Sequence, residues 1–200
     1  MGFPSLNKII SSMLRVNDVS SFNITTTNGP MEPPRIFLRP FKASDAEDVF
    51  KWASEDDVTR YLRWDSVKTL EEAEQHILNK AIPHPWRRSI SLLQDGRSIG
   101  YVSVKPDSGD GRCRADLAYA VGKEFWGRGI ATAAVRMAVE QAFEDFPEVV
   151  RIQAVVEVEN KASQRVSEKV GFRKEGLLEK YGLSKGVIKD MFLYGFVKGL

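Results

Sequence analysis

The chain is short of the residues that most often announce a chemistry. Its one cysteine, Cys113, has no second thiol to meet, which excludes an internal disulfide and a thiolate metal clip. The two histidines, His76 and His84, stand apart and match no metal-ligand spacing. No metal is therefore expected, nor a Cys/His nucleophile pair. No apolar run approaches the roughly 20 residues that span a bilayer, so no membrane association is expected. Neither sign of charge is in excess: 29 Lys and Arg face 27 Asp and Glu, a net of +2. That balance gives no whole-chain pull toward nucleic acid or anionic lipid, and neither is expected as a partner. One unpaired thiol makes a reducing compartment the default. The expected location is the cytoplasm, with the nucleus open to the same reasoning.

What is present suffices for one domain with a full core, at 200 residues and 42% hydrophobic content. Residues 1–34 differ in composition: Ser, Thr and Asn are common, Lys8 and Arg15 balance Asp18 and Glu32, and Pro30, Pro33 and Pro34 end the stretch. It reads as a flexible N-terminal extension. A Ser-rich, acid-poor leader also fits an organellar transit peptide, but arginine is scarce here. Leu6 stands where a myristoylation signal needs Ser or Thr. The folded domain is expected over residues 35–200.

Hydrophobic periodicity divides that domain into elements. RIFLRPF at 35–41 alternates like a half-buried strand. SDAE at 44–47 reads as a capping box opening a helix that buries Ala46, Val49, Phe50 and Ala53, and TLEE at 69–72 reads as a second, burying Ala73, Ile77 and Ala81. The period then falls to two residues. SISLLQ and RSIGYVSV flank an Asp95–Gly96 turn as a hairpin, and RCRADLAYAV at 112–121 forms the next strand. A helix over roughly 129–145 is expected to bury Ile130, Val135, Ala138, Val139, Ala142 and Phe143. VRIQAVVEV at 150–158 is a strand, NKASQRVSEKV a helix closed by Gly171, and the C-terminus two antiparallel strands around Lys185–Gly186. One strand–helix–strand crossover sits among antiparallel neighbours, so the class is mixed α/β or α+β.

The stretch EFWGRGIATAAV at 124–135 carries the chemistry. The first turn of a helix presents N–H groups without internal partners at the positive end of its dipole. Gly127 and Gly129 ahead of that turn would let a diphosphate approach the backbone, with Ala131 small and Arg128 able to add a charge-assisted contact. Two glycines serve a plain strand-to-helix turn equally well, and the loop alone leaves both readings open. The Walker pattern fails for want of a lysine, and the dinucleotide pattern fails at Thr132. Those misses argue against a nucleotide-dependent enzyme.

WGRGIATAA resembles the acetyl-CoA loop of the GNAT superfamily of N-acetyltransferases, whose pattern is Gln/Arg-x-x-Gly-x-Gly/Ala. Gly129 and Ala131 fill its last two positions, and Trp126 replaces the usual first residue. That replacement is typical of the branch resembling ribosomal-protein alanine N-acetyltransferases. VEVENKASQRVSEKVGFRKEG at 156–176 is similar to the second motif of that branch. The resemblance implies a mostly antiparallel sheet of about seven strands, helices on both faces, and a splayed pair of strands that grips acetyl-CoA. It implies that Leu117, Ala118, Tyr119, Ala120 and Val121 offer backbone groups to the thioester and pantetheine. Trp126, Gly127, Arg128, Gly129, Ile130, Ala131 and Thr132 would hold the pyrophosphate, and Asn160 and Ser163 the pantetheine side. Asn160 also fits a plain helix cap.

Asp116, beside the implied thioester, is the candidate general base toward a primary amine: a protein N-terminus, a lysine or a small polyamine-like acceptor. A salt bridge to Arg112 or Arg114 is its competing role. Where relatives carry a tyrosine as acid this chain has Ser167, which leaves Tyr119 and Tyr194 as stand-ins. Glu55, Asp56 and Asp57 lie near the implied acceptor entrance, either to attract a cation or to end and cap helices. Trp64, Trp86 and Tyr181 are candidate pocket walls or core. The competing functional reading is a non-catalytic acyl-CoA-binding regulatory module. A monomer and a homodimer are equally compatible with the sequence.

Overall fold

In the computed structural model, which describes residues 35–199, seven strands form one sheet. They are β1 (Ile36–Arg39), β2 (Arg87–Leu92), β3 (Ser98–Pro106), β4 (Arg114–Val121), β5 (Arg151–Glu157), β6 (Arg173–Ser184) and β7 (Val187–Val197), in the spatial order β1-β2-β3-β4-β5-β7-β6. Every neighbouring pair is antiparallel except β4 and β5. The expected N-terminal extension, residues 1–34, lies outside the described residues.

Helices α1 (Ala46–Ala53), α2 (Asp56–Thr59) and α3 (Leu70–His76) cover one face; α4 (Ile130–Asp145) and α5 (Lys161–Val170) cover the other. The 3.6-residue pattern read in α4 is the one it buries: Ile130, Ala134, Val135, Ala138, Val139, Ala142 and Phe143 all face the sheet. Each fully buried branched side chain there contributes roughly 1.5–3 kcal/mol. Gly171 ends α5 at φ 109°, where a side chain would be strained. The β6–β7 turn places Lys185 and Gly186 at φ 48° and 80°, a pair of left-handed residues whose twist suits a two-residue hairpin.

Local chemistry departs from expectation at two helix starts. The Ser44–Glu47 box does not form. Asp45 takes the Lys42 N–H at 2.9 Å and both guanidinium nitrogens of Arg39 at 2.7 and 2.8 Å, which winds Ala43–Asp45 into a 3-10 turn ahead of α1. Arg39's fork reaches Asp45 because β1 ends beside it. At α3, Thr69 does accept the Glu72 N–H at 3.2 Å, but Glu72 reaches one residue further back, to the Lys68 N–H at 2.6 Å. The helix then loosens into a π turn over Ile77–Ala81, closed by the Ile82 N–H on the Ile77 carbonyl at 2.9 Å.

Candidate functional site

The parallel pair at the centre of the sheet is short. β4 and β5 exchange partners only over Arg114–Asp116 and Arg151–Gln153. Beyond that point β4 stays with β3 as far as Val121, while β5 stays with β7 as far as Glu157. Two antiparallel halves, each with its own twist, thus diverge into a V whose vertex is the Asp116–Gln153 pair.

Backbone direction along β4 follows from its edges. The Gly122 N–H donates to Ile99 and the Asp107 N–H to the Arg114 carbonyl, so even-numbered residues of β4 turn their backbone groups toward β3. Odd-numbered residues therefore face the V, and Tyr119 and Val121 lie beyond its vertex. The Val121 carbonyl is taken by the indole N–H of Trp126 at 2.7 Å, which holds that half-exposed ring across the mouth. A pantetheine arm, an extended chain with two amides, fits such a row.

At the mouth, Gly127 and Gly129 sit at φ 75° and 76°, and Gly129 is the N-cap of α4. A Cβ on either would meet nothing within 4 Å, so the loop opens onto free space and conformation, not crowding, calls for glycine here. The Gly129 carbonyl accepts the Ala133 N–H at 3.0 Å; among the described residues, none of the backbone N–H groups from Gly127 to Thr132 has an acceptor. This cluster at the positive end of a sixteen-residue helix suits a diphosphate. Arg128 is exposed, its guanidinium 5.8 Å from the Phe125 ring centroid.

The other wall of the V is the start of α5. Asn160 caps it, its side-chain oxygen accepting the Ser163 N–H at 3.1 Å. The hydroxyl of Tyr119 is buried toward Ser163 without a hydrogen bond of good geometry. Burial pushes that phenol up to about 12, with the Ser163 hydroxyl pulling weakly the other way. Ser167 is 2% exposed, on the buried side of α5. Tyr194, also buried, donates to Glu168 at 3.1 Å and is pushed up to about 12 by burial and then by that carboxylate.

Asp116 projects onto the α1–α3 face, with Ala118 and Ala120 following it along β4; Ala120 packs into the cluster of Trp52 and Tyr101. Its carboxylate accepts from Gln153 Nε2 at 2.9 Å. The arginines named as competing partners are engaged elsewhere, Arg114 with Asp107 at 2.6 Å and Arg112 with Glu148 at 3.5 Å. Two of the three acids at the expected entrance are also paired. Asp56 holds Ser66 and Lys68, Asp57 holds Lys123 at 2.6 Å, and Glu55 is the N-cap of α2. Asp56 and Asp57 lie in the first turn of α2, and Glu55 makes no side-chain cap bond. Trp86 is core, 1% exposed with its indole N–H on Asp145 at 2.6 Å. Trp64 stacks on His76 at 4.6 Å, and Tyr181 is exposed on β6.

An aromatic crevice that sequence patterning did not reveal lies beneath α1 and α3. Trp52, His76, Arg87 and Tyr101 line it, and Trp52 Nε1 and Arg87 Nε are buried there without acceptors. Burial, then the Arg87 charge, holds both His76 and His84 down to about 4. Its members come from four elements, and no local spacing links them. Among the described residues no group of three or more His, Cys, Asp or Glu is placed to hold a metal, and no helix is long and apolar enough to cross a membrane.

A sheet split along its one parallel pair, under a glycine loop at a helix mouth, defines a coenzyme A-dependent acyl transferase. The acetyltransferase (GNAT) domain matches residues 35–173, and the chain belongs to that family. It is 32% identical over 172 residues to the uncharacterized N-acetyltransferase YoaA of Bacillus subtilis, covering 84% of this chain and 96% of that one. The fold matches a GNAT-family acetyltransferase from Bacillus anthracis with a TM-score of 0.71 at 23% identity, over 82% of this chain and 95% of that one. It also matches Mycobacterium smegmatis RimJ, solved with CoA-disulfide, with a TM-score of 0.67 at 25% identity and 83% coverage of each chain. The chain is an acetyl-CoA-dependent N-acetyltransferase.

Proposed function

We propose that the enzyme transfers acetyl from acetyl-CoA to a primary amine, a protein N-terminus, a lysine or a small polyamine-like acceptor, by direct attack with Asp116 as general base. Residues 35–200 form the transferase domain in this reading. What carries it is the placement of Asp116 at the vertex of the V, on the α1–α3 face, held by neutral Gln153 with no cation in salt-bridge contact among the described residues. An amine with a pKa near 10 is only roughly one part in a thousand unprotonated at neutral pH, so a base is required. The aspartate side chain is short, and a relay of waters between carboxylate and amine completes the reach.

Acetyl-CoA supplies a thioester carbonyl open to attack. The N–H groups from Gly127 to Thr132 and Arg128 bind its diphosphate, the backbone groups of Tyr119 and the Val121 N–H align its pantetheine arm, and Asn160 and Ser163 flank that arm. Of the expected run Leu117–Val121, Ala118 and Ala120 are committed to β3. The Tyr119 N–H is the innermost donor available to the developing oxyanion. Neither Tyr119 nor Tyr194, both at about 12, is matched to protonate a thiolate whose conjugate acid lies near 8.5. The Tyr194 hydroxyl is committed to Glu168 at 3.1 Å, and a thiolate of that basicity is a fair leaving group, so no dedicated acid is assigned.

Asp116→Asn tests the base. Turnover falls at least about 100-fold while acetyl-CoA affinity, measured by calorimetry, is unchanged. Turnover equal to the parent enzyme at every pH removes Asp116 from the mechanism.

A further inference from the structure

Glu157 closes β5, and only 7% of it is exposed. A buried carboxylate is costly unless a cation or several donors compensate it. Its one side-chain partner among the described residues is neutral: Ser184 Oγ donates to Oε1 at 2.7 Å. Two lysines of the adjoining hairpin pair elsewhere, Lys185 with Asp65 at 3.4 Å and Lys189 with Glu159 at 3.5 Å. Oε2 is left with capacity for a cationic donor.

Its position gives that capacity a use. Ile152, Ala154 and Val156 pack with α4, so the alternate residues Gln153, Val155 and Glu157 turn to the α1–α3 face, the face of Asp116. Counting onward from the Asp116–Gln153 pair brings Glu157 level with Ala120 across the V, one residue above Tyr119. Asp116 lies three residues below Tyr119, about 10 Å along the strand. The two carboxylates bracket the level of the innermost free N–H. Ser184 is the last residue of β6, and the Lys185–Asp65 contact carries the hairpin tip to the loop before α3. The hairpin thus roofs the same face.

We propose that Glu157 is an acceptor-binding residue whose free oxygen receives the ammonium of the incoming amine, with Ser184 positioning the carboxylate. The inference rests on the amine-acceptor reading above and deepens it. The favoured acceptor class is cationic, selected inside the V and not by the paired acids Asp56 and Asp57.

The test compares Glu157→Gln, Glu157→Asp, Ser184→Ala and Asp116→Asn, using whichever of three probes the parent enzyme acetylates best. The probes are a short peptide with a free α-amine, an Nα-blocked lysine peptide, and spermidine. Glu157→Gln raises the KM for the amine at least about tenfold, since it removes one partner of a desolvated charge pair. The KM for acetyl-CoA and its calorimetric affinity stay unchanged, which also reports an intact fold. Equilibrium binding of the amine to the enzyme saturated with coenzyme A weakens in parallel. Glu157→Asp recovers part of the loss, and Ser184→Ala loses less than Glu157→Gln. An unchanged amine KM in Glu157→Gln, or a fall in kcat at constant KM, overturns the assignment. Asp116→Asn separates the two ideas: full turnover there with a raised amine KM in Glu157→Gln sinks the base and keeps the binding residue, and the reverse pattern does the opposite.

Discussion

On the α4–α5 face the sheet meets Ile90, Val102, Val104, Val135, Val139 and Ile152, aliphatic side chains packed into a single core. On the α1–α3 face it meets Trp52, Tyr101 and Ala120, with Arg87 and His76 among them and two buried N–H groups without acceptors. The first arrangement is dominated by apolar burial, with the Tyr119 hydroxyl its one buried side-chain polar atom lacking a partner among the described residues. The second carries polar groups that cost stability, and it is also the face of Asp116 and Glu157. Stability and the proposed substrate chemistry are thus divided between the two sides of one sheet, with the V as the seam between them.

The sharpest break of that division lies at the seam. Gly129→Glu forces a side chain into a left-handed position and sets a negative charge where the diphosphate is proposed to bind. Calorimetry is expected to show acetyl-CoA affinity reduced more than 100-fold, about 2.7 kcal/mol or more, with the fold retained by circular dichroism. Parent-like affinity would move the diphosphate elsewhere.

On the stability side, Ile90 is fully buried in β2, remote from the V. Ile90→Ala costs about 2–5 kcal/mol in urea unfolding, through lost transfer energy and a cavity. The acetyl-CoA KM is unaffected. A cost below about 1 kcal/mol would deny this face its role.

The smallest effect belongs to the α1–α3 face and depends on pH. His76 and His84 are held at about 4 in the fold, chiefly by burial, against an ordinary value of 6.5. A depressed histidine contributes its stability in full above 6.5 and loses it as pH falls through the interval toward 4. Urea midpoints are expected to fall over that window, and His76→Phe, which keeps a ring against Trp64, to flatten part of the slope. A slope untouched by the substitution would show that His76 does not respond to acid.

The glycine mouth of the seam and the aliphatic face were largely readable from the chain. The apolar positions of α4, the two glycines before it, the Asn160 cap and the Gly171 stop are local signals within one turn of their effect. The polar face was not. Trp52, His76, Arg87 and Tyr101 come together from α1, α3, β2 and β3, and each alone reads as ordinary core or surface. Glu157 did leave a trace, an acid inside VVEVE, but alternation places it on a face without naming what that face meets. The π turn and the three-residue length of the β4–β5 pairing depend on tertiary partners, and neither carries a motif.

Trp126 has a consequence for measurement along the strand. Its indole occupies the Val121 carbonyl, so an extended ligand laid in the V finds its first open carbonyl at Tyr119. The strand then acts as a ruler with its zero fixed by a tryptophan. The distance from helix mouth to innermost donor is set by protein geometry, and a chain of the wrong length brings its reactive end to rest short of the carboxylates or beyond them.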